Sequence, residues 1–302
     1  MRKMIELNFL GTSQAIPTAK RNHTAILLKY LDEALLIDCG EGTQRQMRIA
    51  KINPCKLTRL LITHWHGDHI LGIPGLLQTL ALNGYNRTLH VYGPKGTKRY
   101  FELILSMFIF EGKIKVVIEE IDKDGIFIEN EKFSLSAYKM IHAAPCLSYV
   151  FKEKDKRRVN MQALRKIGLK PSPIIAEIQK GHNIKHEGKT INAEKYTFFQ
   201  KGKKICFIMD TAINANCIKA AENSDLLISE ATYANELEEK ASENKHLTAK
   251  QAADIAKKAK VKELIITHLS QRYEEIPEII LKEAKKVFSN TKIAHDFMSV
   301  QL

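Results

Sequence analysis

Three imidazoles and a carboxylate crowd into six consecutive positions, His64-Trp65-His66-Gly67-Asp68-His69, directly after the apolar run 59–63. Desolvating several histidines together without a cation is costly. Imidazole nitrogen and carboxylate oxygen are both good donors to zinc and related ions. A turn that follows a buried strand can aim such closely spaced side chains at two neighbouring cations, and Gly67 is expected to permit a tight backbone there. Whatever this chain folds into must therefore end a core strand at a chemically loaded turn.

The rest of the chain supplies strands and helices of the matching kind. Short apolar runs at 25–30, 34–37, 59–63 and 89–92 alternate with helical patterns at 44–52, 73–82 and 96–110, an α/β alternation. From 114 to 140 strand-like segments follow one another around the turn Asp122-Lys123-Asp124-Gly125, which predicts antiparallel sheet. Between 152 and 202 apolar density falls, charges crowd together, and Pro171-Ser172-Pro173, Gly181 and Gly188 interrupt any long element. That stretch reads as an arm or insertion. Alternation resumes with strands at 205–209 and 226–229. A helix at 249–260 is announced by Thr248 with Gln251 three residues later, a capping-box pattern. A strand at 263–267 and a helix at 277–288 follow. Residues 58–64 and 261–268 echo one another in placing a histidine directly after an apolar strand, as two related halves would.

Composition bounds the class. The 302 residues allow one large domain or two ordinary ones, with 44% hydrophobic and 27% charged residues, as in globular chains. No run of about 18 uncharged apolar residues is present to cross a bilayer, and the start Met1-Arg2-Lys3 leads into a segment keeping Glu6 rather than a secretory core. The five cysteines, Cys39, Cys55, Cys146, Cys206 and Cys217, form no Cys-x-x-Cys pair, which fits a reducing cytoplasm. A net charge of +13 attracts polyanions such as nucleic acid, although lysine-rich surfaces also accompany adaptation to heat.

Two hydrolytic metal sites need more than four donors. His142, Asp210 and His268 each follow a strand-like run, and loops at one edge of a scaffold are where sites are assembled. The HxHxDH pattern from His64 to His69 resembles that of the metallo-β-lactamase superfamily. Further segments are similar to ribonuclease Z, the tRNA 3′-processing endonuclease family. They include Gly11-Thr12-Ser13, Asp38-Cys39-Gly40-Glu41-Gly42-Thr43-Gln44, Ser229-Glu230-Ala231-Thr232, His246 with Thr248, and Thr267-His268-Leu269-Ser270-Gln271-Arg272-Tyr273. The likeness covers nearly the whole chain except the arm.

The resemblance implies a single four-layer αββα domain over 1–302 with 152–202 as an inserted tRNA-binding arm. It implies two divalent ions, usually zinc: one on His64, His66 and His142, the other on Asp68, His69 and His268, with Asp210 bridging. Asp68 would orient or deprotonate the attacking water, and His246, held by Glu230, would protonate the leaving oxygen. The substrate implied is precursor tRNA and the assembly a cytoplasmic homodimer without membrane contact. The cations Lys152, Lys154, Lys156, Arg157, Arg158, Arg165, Lys166 and Lys170 suit phosphate contacts in the arm. Departures from the family pattern are Pro171-Ser172-Pro173 in the arm and Cys146, where a serine would offer a phosphate contact. The ligand set is shared with small-phosphodiester, sulfate-ester and thioester hydrolases, so these stand as alternatives, as does an RNA-binding protein without catalysis. Trp65 is expected to pack against its neighbouring loop, and Asp38 and Glu41 to support the ligands or cap the helix near Thr43. His23, His90, His182, His186 and His295 carry no motif.

Overall fold

A strand that is apolar at every position, rather than at alternate ones, is stable only when both of its faces are covered. The computed structural model, which describes residues 4–107, 109 and 114–302, meets that demand with two sheets placed face to face and helices outside them. The first sheet contains β1 (Glu6–Gly11), β2 (Ala25–Tyr30), β3 (Glu33–Ile37), β4 (Arg59–Leu61), β5 (Thr88–Gly93), β6 (Lys115–Glu120) and the last strand, β18 (Ser299–Gln301). Its order is β18-β1-β2-β3-β4-β5-β6, antiparallel as far as β3 and parallel from β3 to β6. The second contains β7 (Gly125–Glu129), β8 (Phe133–Met140), β9 (Cys146–Glu153), β14 (Lys204–Ile208), β15 (Leu226–Glu230), β16 (Leu264–Thr267) and β17 (Thr291–Ile293). Its order is β17-β16-β15-β14-β9-β8-β7, with β14 to β17 mutually parallel.

Alternate residues of each strand separate into the two interfaces, as the pleat requires. On the outer face of the first sheet, Leu27, Leu36, Leu60 and Val91 cluster with Met47 of α1 (Thr43–Ile49), Leu76 and Leu80 of α3 (Ile73–Leu82) and Phe101 of α4 (Thr97–Ser106). On the outer face of the second, Cys206, Ile208, Leu227 and Ile266 pack on Ala220 of α7 (Ala215–Ala221), Ile255 of α9 (Ala249–Lys258) and Ile280 of α10 (Glu278–Val287). The inward-facing positions meet between the sheets, where Tyr30 lies edge-on to Phe151 at 5.3 Å and the Tyr149 hydroxyl donates to the Ile62 carbonyl at 2.7 Å. These are the four layers of an αββα sandwich. The two short helices α2 (Gly67–Ile70) and α8 (Glu238–Glu243) lie in connections.

Local chemistry sets the start of three helices, where the side chains of Asn160, Asn214 and Thr248 cap α5 (Met161–Lys166), α7 and α9. Thr248 and Gln251 form the expected capping box at α9. The helix expected over 96–110 is described as far as Ser106, and Phe110 lies outside the described residues, as does the segment Met1-Arg2-Lys3. The stretch 114–140 differs from expectation: β6 runs parallel to β5 in the first sheet, whereas β7 and β8 belong to the second. The Asp122–Gly125 turn therefore hands the chain from one sheet to the other instead of closing a hairpin. Periodicity records the strands, but not which partner each one finds.

Residues 1–129, 135–151 and 204–302 form one compact unit and residues 130–134 with 152–203 a second. The second unit pairs β10 (Lys156–Val159) with β13 (Thr197–Gln200), forms a hairpin from β11 (Ile184–His186) and β12 (Lys189–Ile191), and adds α5 (Met161–Lys166) and α6 (Ile175–Lys180). Leu164, Leu169, Ile178, Ile184, Ile191 and Ala193 give it a small core of its own. Gly181 ends α6 at φ 97° and Gly188 turns the hairpin at φ 75°, left-handed backbone that favours glycine. No helix among the described residues is long and apolar enough to cross a membrane.

Candidate metal centre

Parallel strands deliver their carboxyl ends to one edge of a sheet, and both sheets do so here. His64 to His69 follow β4, Asp38 follows β3, Asp210 follows β14, Glu230 ends β15 and His268 follows β16. His142 follows β8, and His246 precedes α9. The fold thereby brings together donors as far apart as positions 64 and 268. His64, His66, His142 and Asp210 form one group and Asp68, His69 and His268 another, the donor atoms in each lying within 4.8 Å of one another.

Asp210 stands between the two groups with one oxygen for each. Its Oδ2 lies 3.5 Å from His64 Nε2 and 3.7 Å from His142 Nε2. Its Oδ1 lies 3.5 Å from His69 Nε2 and 3.2 Å from His268 Nε2. Asp68 Oδ2 is 3.3 Å from each of His69 and His268 Nε2, and its carboxylate accepts the Ala15 backbone N–H at 2.9 Å.

The protonation pattern of the rings follows from their outer partners. His69 Nδ1 donates to Asp38 Oδ2 at 2.7 Å, and His142 Nδ1 to the Lys245 carbonyl at 3.0 Å. His64 Nδ1 and His268 Nδ1 face the hydroxyls of Thr63 and Thr232 at 3.0 and 3.1 Å. Those hydroxyls give their own hydrogens to Asp38 and Glu230, so they accept from the rings. Four rings thus turn Nδ1 outward to an acceptor and Nε2 inward. His69 Nε2 and His268 Nε2 then confront each other at 3.1 Å, and His64 Nε2 and Asp210 Oδ1 are buried without a hydrogen-bond partner. Converging nitrogens and carboxylate oxygens in a buried place are an arrangement that a cation would satisfy. The donor set fits divalent ions of the zinc class.

The electrostatics agree. Burial pushes the His64 and His142 imidazoles below their usual range, which keeps them neutral. Burial also opposes charge on Asp210 and Asp68, yet the surrounding imidazoles, chiefly His268 and His69, hold both carboxyls below the usual carboxylate range. For His69, burial is outweighed by Asp210, Asp68 and Asp38, which hold it well above its usual value: the site asks for positive charge. His246 is a second case. Burial disfavours its charge, but Glu230 and Asp210 push it up to about 9, with Nδ1 on Glu230 Oε1 at 3.0 Å and Nε2 4.0 Å from Asp210 Oδ2. His246 lines, with His66, Asp68, His142 and Asp210, an open cleft of roughly 270 Å³.

Asp38 takes the supporting one of its two expected roles, accepting the Thr63 N–H at 2.8 Å as well as the His69 proton while its own backbone sits at φ 58°. Neither Asp38 nor Glu41 caps α1, which starts at Gly42 without a side-chain cap. Gly67 does not use left-handed backbone, and a Cβ there would meet only the mobile end of Leu71 at 3.1 Å. The steric demand falls instead on Gly40, whose Cβ would lie 2.4 Å from that of His23, and Gly72, whose Cβ would lie 2.0 Å from the Gly40 carbonyl oxygen. Cys146 is buried with its thiol on the Asp210 carbonyl at 3.3 Å, so it faces no substrate. Thr63, Thr232 and the Lys245 carbonyl were not legible as supports. Thr63 and Thr232 stand beside His64 and Glu230, but nothing in their order reveals which ring they hold. His23, His90, His182, His186 and His295 lie outside these donor groups and outside a third formed by Asp210, His246 and His268.

Comparison with known proteins agrees with this geometry. Residues 5–103 match the family described as Anti-Pycsar protein Apyc1. A ribonuclease Z of Methanothermobacter thermautotrophicus is 41% identical over 300 residues, covering 99% of this chain and 97% of that protein. The crystal structure of the human tRNase Z, short form, superposes with a TM-score of 0.72 at 26% identity, covering 98% of each chain. The metallo-β-lactamase fold protein YhfI of Bacillus subtilis also reaches a TM-score of 0.72, at 20% identity and 100% coverage of both chains, and so speaks for the fold. With a relative so similar over its whole length, and with its two-sheet sandwich and strand-end donors in place, the chain belongs to the ribonuclease Z family of metallo-β-lactamase fold proteins.

Proposed function

We propose that this protein is an endoribonuclease that removes the 3′ trailer from precursor tRNA by two-metal phosphodiester hydrolysis, leaving a 3′-hydroxyl on the tRNA. The observation that carries the reading is the division of Asp210 between two donor groups in a chain whose ribonuclease Z relative matches it end to end. One cation would be held by His64, His66 and His142, the other by Asp68, His69 and His268, with Asp210 shared; zinc suits the histidine-rich set. When bound, such ions neutralise phosphoryl oxygens and make water a usable nucleophile near neutral pH.

The chain's own residues do the rest. Asp68, steadied by the Ala15 N–H, orients the attacking water and takes the proton it gives up. As the water oxygen bonds to phosphorus, the bond from phosphorus to the ribose 3′-oxygen breaks. That oxygen takes a proton from His246, whose charge Glu230 sustains. The tRNA leaves with a 3′-hydroxyl and the trailer with a 5′-phosphate. The 152–202 arm would grip the tRNA away from the cut. Arg165, Lys166 and Lys170 make no ion pair among the described residues and suit phosphates, whereas Lys156 is engaged by Glu153. The same reading makes the enzyme a cytoplasmic homodimer. Small-phosphodiester, sulfate-ester and thioester hydrolysis are not favoured, because the end-to-end relatives are ribonuclease Z proteins.

The test is cleavage of a tRNA precursor carrying a 3′ trailer, with and without a chelator. A single metal-dependent cut that leaves a 3′-hydroxyl is expected. Hydrolysis of a small phosphodiester with the precursor left intact would overturn the assignment, and sedimentation at working concentration checks the dimer.

A further inference from the structure

Beside the cleft lined by His66, Asp68, His142 and Asp210 lies a second cavity, of roughly 400 Å³ and predominantly apolar, that the proposed chemistry does not use. Its size falls within the range of about 300–1,000 Å³ typical of small-ligand pockets. Trp65 and Tyr100 form one wall with ring centroids 5.3 Å apart, and Leu103 and Ile104 of α4 are among the other lining residues, as are Ala144 and Pro145. Tyr100 and Leu103, one turn apart on α4, are 42% and 50% exposed. Lys95 adds a cation.

The two cavities are separated by single steps along the chain. His66 lines the cleft and Trp65 the groove; Ala143 lines the cleft and Ala144 the groove. The groove is also preformed. The Trp65 indole N–H donates to Thr97 Oγ1 at 2.9 Å, and the Gly96 and Lys98 N–H groups at the start of α4 are held by Glu120. An occupant must be flat and apolar on its faces, stand next to a phosphate, and carry a further anionic group for Lys95. An unpaired nucleotide has that chemistry.

Resting on the reading of this protein as a tRNA 3′ endonuclease, we propose that the groove seats the base of the first trailer nucleotide, immediately 3′ of the scissile phosphate. His246 belongs to the cleft and serves the tRNA's 3′-oxygen, which leaves the trailer side of the phosphate to the adjoining groove. Tyr100 and Leu103 then act as specificity residues that hold the trailer while the bond is cut.

The test is single-turnover cleavage of a tRNA precursor whose first trailer nucleotide either carries its base or is abasic, by wild type, Tyr100→Ala and Leu103→Glu. Wild type is expected to lose about ten-fold on the abasic substrate, the size of one stacked base. Each variant should lose a similar factor on the base-bearing substrate and little more when the base is already absent. Penalties that multiply across enzyme and substrate, or a wild type indifferent to the base, would overturn the groove assignment while leaving the nuclease reading intact. A wild type that cuts neither precursor would sink the nuclease reading instead. Variants that fall apart into single copies on sedimentation and lose equally on both substrates would assign the groove to a subunit contact and overturn the proposal.

Discussion

Asp38 illustrates how much of this site rests on residues that touch no substrate. Its carboxylate binds His69, the Thr63 hydroxyl and the Thr63 N–H from a left-handed backbone position that aspartate tolerates better than alanine. Asp38→Ala leaves buried donors unpaired, each worth about 1–3 kcal/mol. Chemical denaturation should therefore show a loss of at least about 2 kcal/mol, and competitive chelation a fall in metal affinity of about 10- to 100-fold. His246 presents the opposite profile. If it supplies the leaving-group proton, His246→Ala should lower kcat by about 100-fold or more while metal content stays at the wild-type level; unchanged turnover would remove it from the mechanism. By position in the sequence Asp38 reads as a ligand support or a helix cap, with nothing local to choose between them, and His246 is marked only by the family resemblance.

At the scale of elements, helix α9 shows local chemistry that transfers directly from sequence to structure. Thr248 Oγ1 accepts the Gln251 N–H at 3.3 Å and Gln251 Oε1 accepts the Thr248 N–H at 3.0 Å, so both orphan donors are satisfied as the spacing predicts. Thr248→Ala should cost about 1 kcal/mol in urea unfolding. Unit 130–134 with 152–203 has short elements around six buried apolar side chains, small for independent stability. Its proposed role is electrostatic and hence separable from chemistry. Reversing Lys166 and Lys170 to glutamate should raise KM for precursor tRNA and flatten its salt dependence by about one unit of slope per lost phosphate contact. An unaltered salt slope would detach these cations from tRNA binding.

On the scale of the whole molecule, a metal held by the buried cluster of imidazoles and carboxylates would couple to folding. An ion that binds the folded chain and not the unfolded one stabilises it by mass action, about 2.7 kcal/mol at a hundred times the dissociation constant. Chelation should therefore lower Tm measurably and added zinc restore it; a Tm indifferent to both would mean that the cluster folds without a cation. The sequence alone determined that strands alternate with helices, that α9 carries its cap, and that His64, His66, Asp68 and His69 crowd into one turn, because each depends on contacts a few residues apart. It also marked His142, Asp210 and His268 as strand-end donors. Only the tertiary structure decided that β6 and β7 part to different sheets, that Asp210 divides its oxygens between two donor groups, and that Thr63, Thr232 and Asp38 set the ring tautomers. Those outcomes depend on which surfaces meet across the sandwich, and a free energy shared among partners some two hundred positions apart, such as His69 and His268, leaves no periodic trace in the chain.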